Sequence, residues 1–163
     1  MAMILQLTKQ LSLRPQLSCL QCVTLTQFTK SDVECWLDLR DLCFADEPVR
    51  VRKWTYDDVV TEFFHRWWWN PDRMWLARDE AQRLIGSVTL AMRGEPGSAK
   101  PVAHWLMVSP PWRRRGIGRL LMAHLEAAVW DTGYREISLE THGAWKAAGR
   151  FYETLGYRPN DIS

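Results

Sequence analysis

The chain has 163 residues, a formal charge of +2 and an apolar fraction of 47%. That size and balance fit one globular domain and exclude a disordered segment. So small a net charge excludes nucleic-acid binding by bulk charge, and no apolar run approaches the roughly 18 residues a spanning helix needs.

Residues 1–18 lack the charged start and long apolar stretch of a signal peptide. They also lack acidic residues, the first being Asp32, a composition shared with organellar transit peptides. The expectation is a loose tail, with Met3 as another candidate start, ahead of a single domain over residues 19–163 in a cytoplasmic protein. Cys19-x-x-Cys22 has redox or metal spacing, but no second pair or well-spaced histidine follows. Cys19, Cys22, Cys35 and Cys43 therefore read as small buried apolar residues in a reducing compartment, and no metal is expected.

Cys19–Thr26 is β-branched enough for a first strand. Thr29–Phe44 reads as a helix, with Ser31 and Glu34 at capping-box spacing and an apolar face from Val33, Trp36, Leu37 and Leu39 to Phe44. A second helix starts near Thr55, with Asp58 three residues on. Val59, Phe63 and Trp67, and Val60, Phe64 and Trp68, repeat at four-residue intervals until Asn70-Pro71-Asp72. Met74–Arg78 and Arg83–Arg93 flank the polar turn Asp79–Gln82 as a hairpin. Val102–Val108 is a further strand, closed by Ser109-Pro110-Pro111. Arg119–Trp130 carries a helical stripe, with Gly133 as its cap. Glu136–Thr141 is a strand, and Trp145–Leu155 a last helix with Ala148, Phe151, Tyr152 and Leu155 on one side. No internal repeat or linker interrupts this order. It predicts an α/β (α+β) domain with a mixed sheet and helices on both faces.

The sharpest local feature is the turn between strand and helix, Val108-Ser-Pro-Pro-Trp-Arg113-Arg114-Arg115-Gly116-Ile117-Gly118-Arg119. A helix N-terminus presents unpaired N–H groups and about half a positive charge. Glycines let backbone approach an anion closely, and arginines add fixed charge and forked donors. Together they form a phosphate or pyrophosphate cradle. The P-loop ending Gly-Lys-Ser/Thr is absent, and the dinucleotide fingerprint fails because position 121 is Leu.

Arg113-x-x-Gly116-x-Gly118 in that setting resembles the acyl-CoA-binding motif of the GNAT N-acetyltransferase superfamily. Phe151-Tyr152-Glu-Thr-Leu-Gly156-Tyr157 is similar to the family's closing helix. The resemblance covers about residues 19–160. It implies a mostly antiparallel sheet whose strands splay after the one ending at Val108, with acetyl-CoA as co-substrate. Backbone N–H groups of Arg114, Arg115, Gly116, Ile117, Gly118 and Arg119 would hold the pyrophosphate, beside Arg113. The freed edge at Leu106, Met107 and Val108 would pair with the pantetheine arm. One position departs from the family: Trp145 stands where many members have an asparagine that helps hold that arm.

Only a neutral amine attacks a thioester, and a lysine-like amine has a pKa near about 10.4, so the site needs a proton acceptor. A strand-edge N–H near Met107 would support the developing oxyanion. By the resemblance, Tyr152 is the candidate acid for the departing thiolate. His104, four residues before Val108, is the candidate base, an imidazole whose ordinary pKa of about 6.5 suits the task. Glu140 or a water is the substitute, and His142 borders the pocket. Trp67, Trp68 and Trp75 are candidates for the acceptor pocket, where aromatics favour apolar or cationic amines. Because consecutive helical residues point about 100° apart, Trp67, Trp68 and Trp69 cannot all face one way, and at least one should be exposed or in the cleft. The resulting expectation is an N-acetyltransferase for a small-molecule or protein amine, as monomer or homodimer, with no nucleic-acid or membrane partner. The alternative is an acyl-CoA-binding module without turnover.

Overall fold

A seven-stranded sheet, ordered β2-β3-β4-β5-β6-β1-β7, organises the computed structural model, which describes residues 3–160. In chain order the elements are β1 (Ile4–Gln10), β2 (Thr24–Gln27), α1 (Val33–Phe44) and α2 (Tyr56–Val59, continued as a π-helix over Val60–Phe64). Then come β3 (Met74–Arg78), β4 (Leu84–Arg93), β5 (Lys100–Val108), α3 (Ile117–Asp131), β6 (Glu136–His142), α4 (Lys146–Thr154) and β7 (Arg158–Pro159). Neighbours run antiparallel except β5 and β6, which α3 connects as a parallel pair. The mixed, mostly antiparallel sheet therefore matches the expected fold class.

Period-2 alternation divides the core. Trp75 and Ala77 of β3 face the layer that holds Leu121, Leu125 and Val129 of α3. Met74 and Leu76 face Trp36 and Leu39 of α1 and Phe63 of α2. Phe151, Tyr152 and Leu155 of α4 pack against the margin of the α3 layer. Helices thus cover both faces, α1 and α2 on one and α3 and α4 on the other.

Several expectations need correction. Residues 4–10 belong to the sheet rather than to a tail: β1 pairs with β6 from Ile4↔His142 to Gln10↔Glu136, and Leu7 and Leu11 enter the core. Without β1, β6 would present an open edge. Residues 1, 2 and 161–163 lie outside the described residues. The first strand, expected at Cys19–Thr26, is confined to Thr24–Gln27. The capping box before α1 uses Thr29 and Asp32, whose carboxylate accepts from the Thr29 N–H at 2.8 Å, not Ser31 and Glu34. The Thr55–Asp58 box forms as read, at 2.7 Å. The second helix ends at Phe64, before the tryptophan run, because its last turn widens: His65 N–H bonds the Val60 carbonyl at 2.9 Å. Only Cys43 is buried; Cys19, Cys22 and Cys35 are exposed, and all four thiols are free. Cys35 lies on the outer face of α1, and the other two lie in the connection before β2.

Candidate active site

The parallel pairing of β5 with β6 is short. Val102 faces Ser138 and Ala103 faces Leu139, and the two strands then separate. A bulge in β5 marks the point of departure: Thr89 faces His104 and Ser87 faces Met107, so Trp105 and Leu106 together oppose Val88. Trp105 takes a positive φ of 53°, a strained conformation for a bulky residue. Beyond the bulge, Ser109 N–H donates to Ile85 of β4 at 2.8 Å. By strand alternation Met107 turns its amide to β4, while Leu106 and Val108 turn theirs toward the gap that β6 has left. This corrects the expectation for Met107, whose side chain is buried on the α1 side.

The β5–α3 turn closes one end of the gap. Gly116 caps α3 with φ 87°, in the left-handed region that glycine occupies without penalty. Leu120 N–H makes the first helical bond, to Gly116, at 2.9 Å, so the N–H groups of residues 116–119 have no intrahelical partner. Gly118 serves a different purpose from Gly116. A Cβ there would come within 3.1 Å of the Phe151 ring, so its absence lets α4 lie against the start of α3.

The arginines divide similarly. Arg113 turns inward, donating from Nε to the Val108 carbonyl at 2.9 Å and from Nη2 to the Cys43 carbonyl at 3.2 Å. It braces the turn against β5 and α1 rather than presenting its charge to a ligand, which corrects the reading of Arg113 as an anion donor. Arg114 holds a positive φ of 62°. Arg115 lies over the Trp112 ring at 5.1 Å, and Arg119 reaches Thr154 of α4 at 3.5 Å.

Tyr152 and His104 stand on opposite faces of the sheet. Tyr152 packs at the margin of the α3 layer, the same layer that Leu106 and Val108 border, with its ring 6.0 Å from that of Tyr157. Burial pushes its phenol up to about 12. His104 faces α2, with ring centroids 6.4 Å from Phe63 and 5.3 Å from Trp105. Burial there pushes its imidazole down to about 4; Glu62 opposes the shift, and Arg93, Arg66 and Arg40 add to it. The expectation of an ordinary imidazole pKa is therefore corrected.

The other candidates disperse. Glu140 is exposed and ion-paired with Arg93 at 2.7 Å. His142 Nδ1 accepts the Ala144 N–H at 3.2 Å, and its ring lies 5.5 Å from Trp145. Trp67 is 52% exposed, in the turn beyond the end of the helix, and its indole N–H reaches the Gly94 carbonyl at 3.2 Å. Trp68 packs on the α1–α2 side beneath Arg73. Trp75 belongs instead to the α3 layer, because alternation along β3 points it to the face opposite Trp68.

Sequence reasoning missed the residues that bridge the gap. Trp105 on the β5 side and Trp145 on the β6 side each lie 5.6 Å from Phe44, at the end of α1. Arg40 of α1 lies against both Trp54 and Trp105, 4.6 and 4.4 Å from their ring centroids. One signal was available: Arg40 falls four residues after Trp36 and three after Leu37, on the apolar stripe of α1. Among the described residues no cluster of side chains suits a metal ion, and no helix is long and apolar enough to cross a membrane.

A parallel strand pair unzipped by a bulge, with a helix start beside the opening, is an acyltransferase-type α/β arrangement. The chain belongs to the Acetyltransferase (GNAT) family, which it matches over residues 36–157. It is 30% identical over 138 residues to the mycothiol acetyltransferase of Clavibacter sepedonicus, covering 83% of this chain and 43% of that protein. The chain spans less than half the length of the curated mycothiol acetyltransferases that it matches. A GCN5-related N-acetyltransferase from Sphaerobacter thermophilus shares the fold with a TM-score of 0.75 at 19% identity, over 96% of this chain and 48% of that one. Arabidopsis thaliana Naa50, in complex with the bisubstrate analogue CoA-Ac-MVNAL, has a TM-score of 0.65 at 22% identity, over 86% and 85%.

Proposed function

We propose that this chain transfers an acetyl group from acetyl-CoA to a primary amine. The observation that carries the reading is the loss of β5–β6 pairing after Ala103 and Leu139 beside a helix start with unpaired N–H groups. Main-chain N–H groups from Arg114 to Arg119 would hold the pyrophosphate, with Arg115 and Arg119 adding charge. The open edge of β5 at Leu106 and Val108 would pair with the pantetheine arm, which supplies the activated acetyl group when bound. The Leu106 or Val108 amide would donate to the oxygen that gains charge as the amine adds.

Tyr152 would approach the departing sulfur from the α3 face. A phenol held near about 12 stays protonated at working pH. Full transfer to a thiolate of ordinary pKa, about 8.5, is uphill, so Tyr152 acts first by hydrogen bonding to the sulfur. His104 would act from the opposite face. A base near about 4 cannot strip a free ammonium, but it can relay a proton, directly or through water, from the far more acidic nitrogen formed once the amine has added. Glu140 is exposed and engaged by Arg93 at 2.7 Å, and has no part in this reading.

The mycothiol acetyltransferases named above make a small-molecule amine one candidate, and amino acids or protein amines are others. Calorimetry with coenzyme A and thiol release from acetyl-CoA across an amine panel test the proposal. Binding with amine-dependent release is expected. Binding without release for any amine favours a CoA-binding module, and absence of binding overturns the reading.

A further inference from the structure

Arg40 is 2% exposed, yet no carboxylate pairs with it among the described residues. Its Nη1 donates to the Arg52 carbonyl at 2.9 Å, and its Nε is buried without an acceptor. Asp58, the nearest acid of α2, is already held by Arg52 at 3.0 Å. Burial lowers the Arg40 pKa to about 10, and the charges of Asp41 and Asp58, neither of them bonded to it, offset this only in part. Buried charges are ordinarily paired, because desolvation is costly without an opposite charge.

Two further buried donors lack acceptors nearby: the indole N–H groups of Trp105 and Trp145. They belong to one chain of ring contacts, from Arg40 to Trp105, Phe44 and Trp145, which spans the opening between β5 and β6. Trp105 also touches His104, so this run of donors begins beside the candidate base. The Trp54 and Trp105 rings, whose centroids are 5.1 Å apart, both contact the guanidinium and restrict it, which favours a forked contact to a carboxylate.

We propose that the acceptor amine carries a carboxylate, which Arg40 binds, with the Trp105 indole N–H as a second donor. The inference rests on the acetyltransferase reading and narrows it to amino-acid-like acceptors. A carboxylate seated at Arg40 would place an amine one or two bonds away beside His104. An arginine aimed at a carboxylate also discriminates against plain amines, because the same amine without its acid would leave the charge unpaired.

The test compares matched amines, phenylalanine against phenethylamine and glycine against methylamine, with acetyl-CoA as donor. Wild-type protein should favour the carboxylate-bearing partner in kcat/KM by about ten- to a hundredfold, the range of a charge-assisted contact. Arg40→Met should abolish the preference, Arg40→Lys should keep part of it, and neither should change coenzyme A affinity. Equal rates for both partners in wild type, or a preference that survives Arg40→Met, overturns the proposal. Calorimetry with 3-phenylpropionate separates this outcome from failure of the acetyltransferase reading. If no amine is acetylated but this acid binds wild type and not Arg40→Met, the anion site stands and the activity falls. If neither turnover nor binding appears, both fall. Should Arg40→Met not fold, Arg40→Lys and Trp105→Phe carry the comparison.

Discussion

His104 offers the most direct check on the electrostatics of the site. Its imidazole is pushed from 6.5 down to about 4, because Phe63 and Trp105 exclude water from it and three arginines oppose its charging. Above pH 6.5 the folded and unfolded chains both hold it neutral, and it adds no pH dependence. As the pH falls below that value, the unfolded chain takes up a proton that the folded chain refuses. Stability then declines by up to about 1.4 kcal/mol per pH unit until the folded pKa is reached, about 3 kcal/mol at most. Carboxylates titrate over part of the same range, so the informative quantity is a double difference. Urea unfolding of wild type and His104→Gln at pH 7.5 and pH 4.5 should show wild type losing about 2–3 kcal/mol more than the variant. Equal losses would refute the assignment, as would an NMR titration of His104 with a midpoint near 6.5. The same depression predicts that His104 sets no limb near pH 6.5 on the acid side of kcat/KM.

Tyr152→Phe keeps the ring and removes the donor, so kcat should fall by about 10²–10⁴ while coenzyme A affinity holds in calorimetry; an unchanged kcat removes Tyr152 from the chemistry. At Gly116 the limit is the backbone rather than space, since a Cβ would meet only Leu20, at 3.6 Å, whereas φ is 87°. Gly116→Val should therefore cost about 1–3 kcal/mol of folding stability and weaken coenzyme A binding, and intact affinity would count against the pyrophosphate site. Leu7→Ala should destabilise by about 2–5 kcal/mol in denaturant unfolding, and a negligible change would return residues 4–10 to the status of a tail.

Local rules carried most of the architecture. The strands β3 and β4, the helix α3 and the turn before it were legible because each rests on short-range physics: hairpin alternation, a 3.6-residue stripe, and glycine at a left-handed cap. β1 escaped notice because a segment such as Ile4–Gln10, with few buried side chains, owes its order to partners more than a hundred residues away. The tryptophan run misled for a related reason. Four-residue spacing persists through Trp68, but a single widened turn after Val60 ends the helix and leaves Trp67 in solvent.

The candidate site divides along the same line. From the sequence alone came the family resemblance, the candidate anion-binding turn and the candidates Tyr152 and His104, because backbone conformation and side-chain chemistry are properties of the chain itself. Only the folded arrangement decided that Arg113 braces the turn instead of facing a ligand, that His104 loses its ordinary basicity, and that Arg40, Phe44, Trp105 and Trp145 meet across the gap. Desolvation and contact depend on what other segments bring alongside, and four residues scattered over α1, β5 and the start of α4 carry no mark of their meeting in linear order.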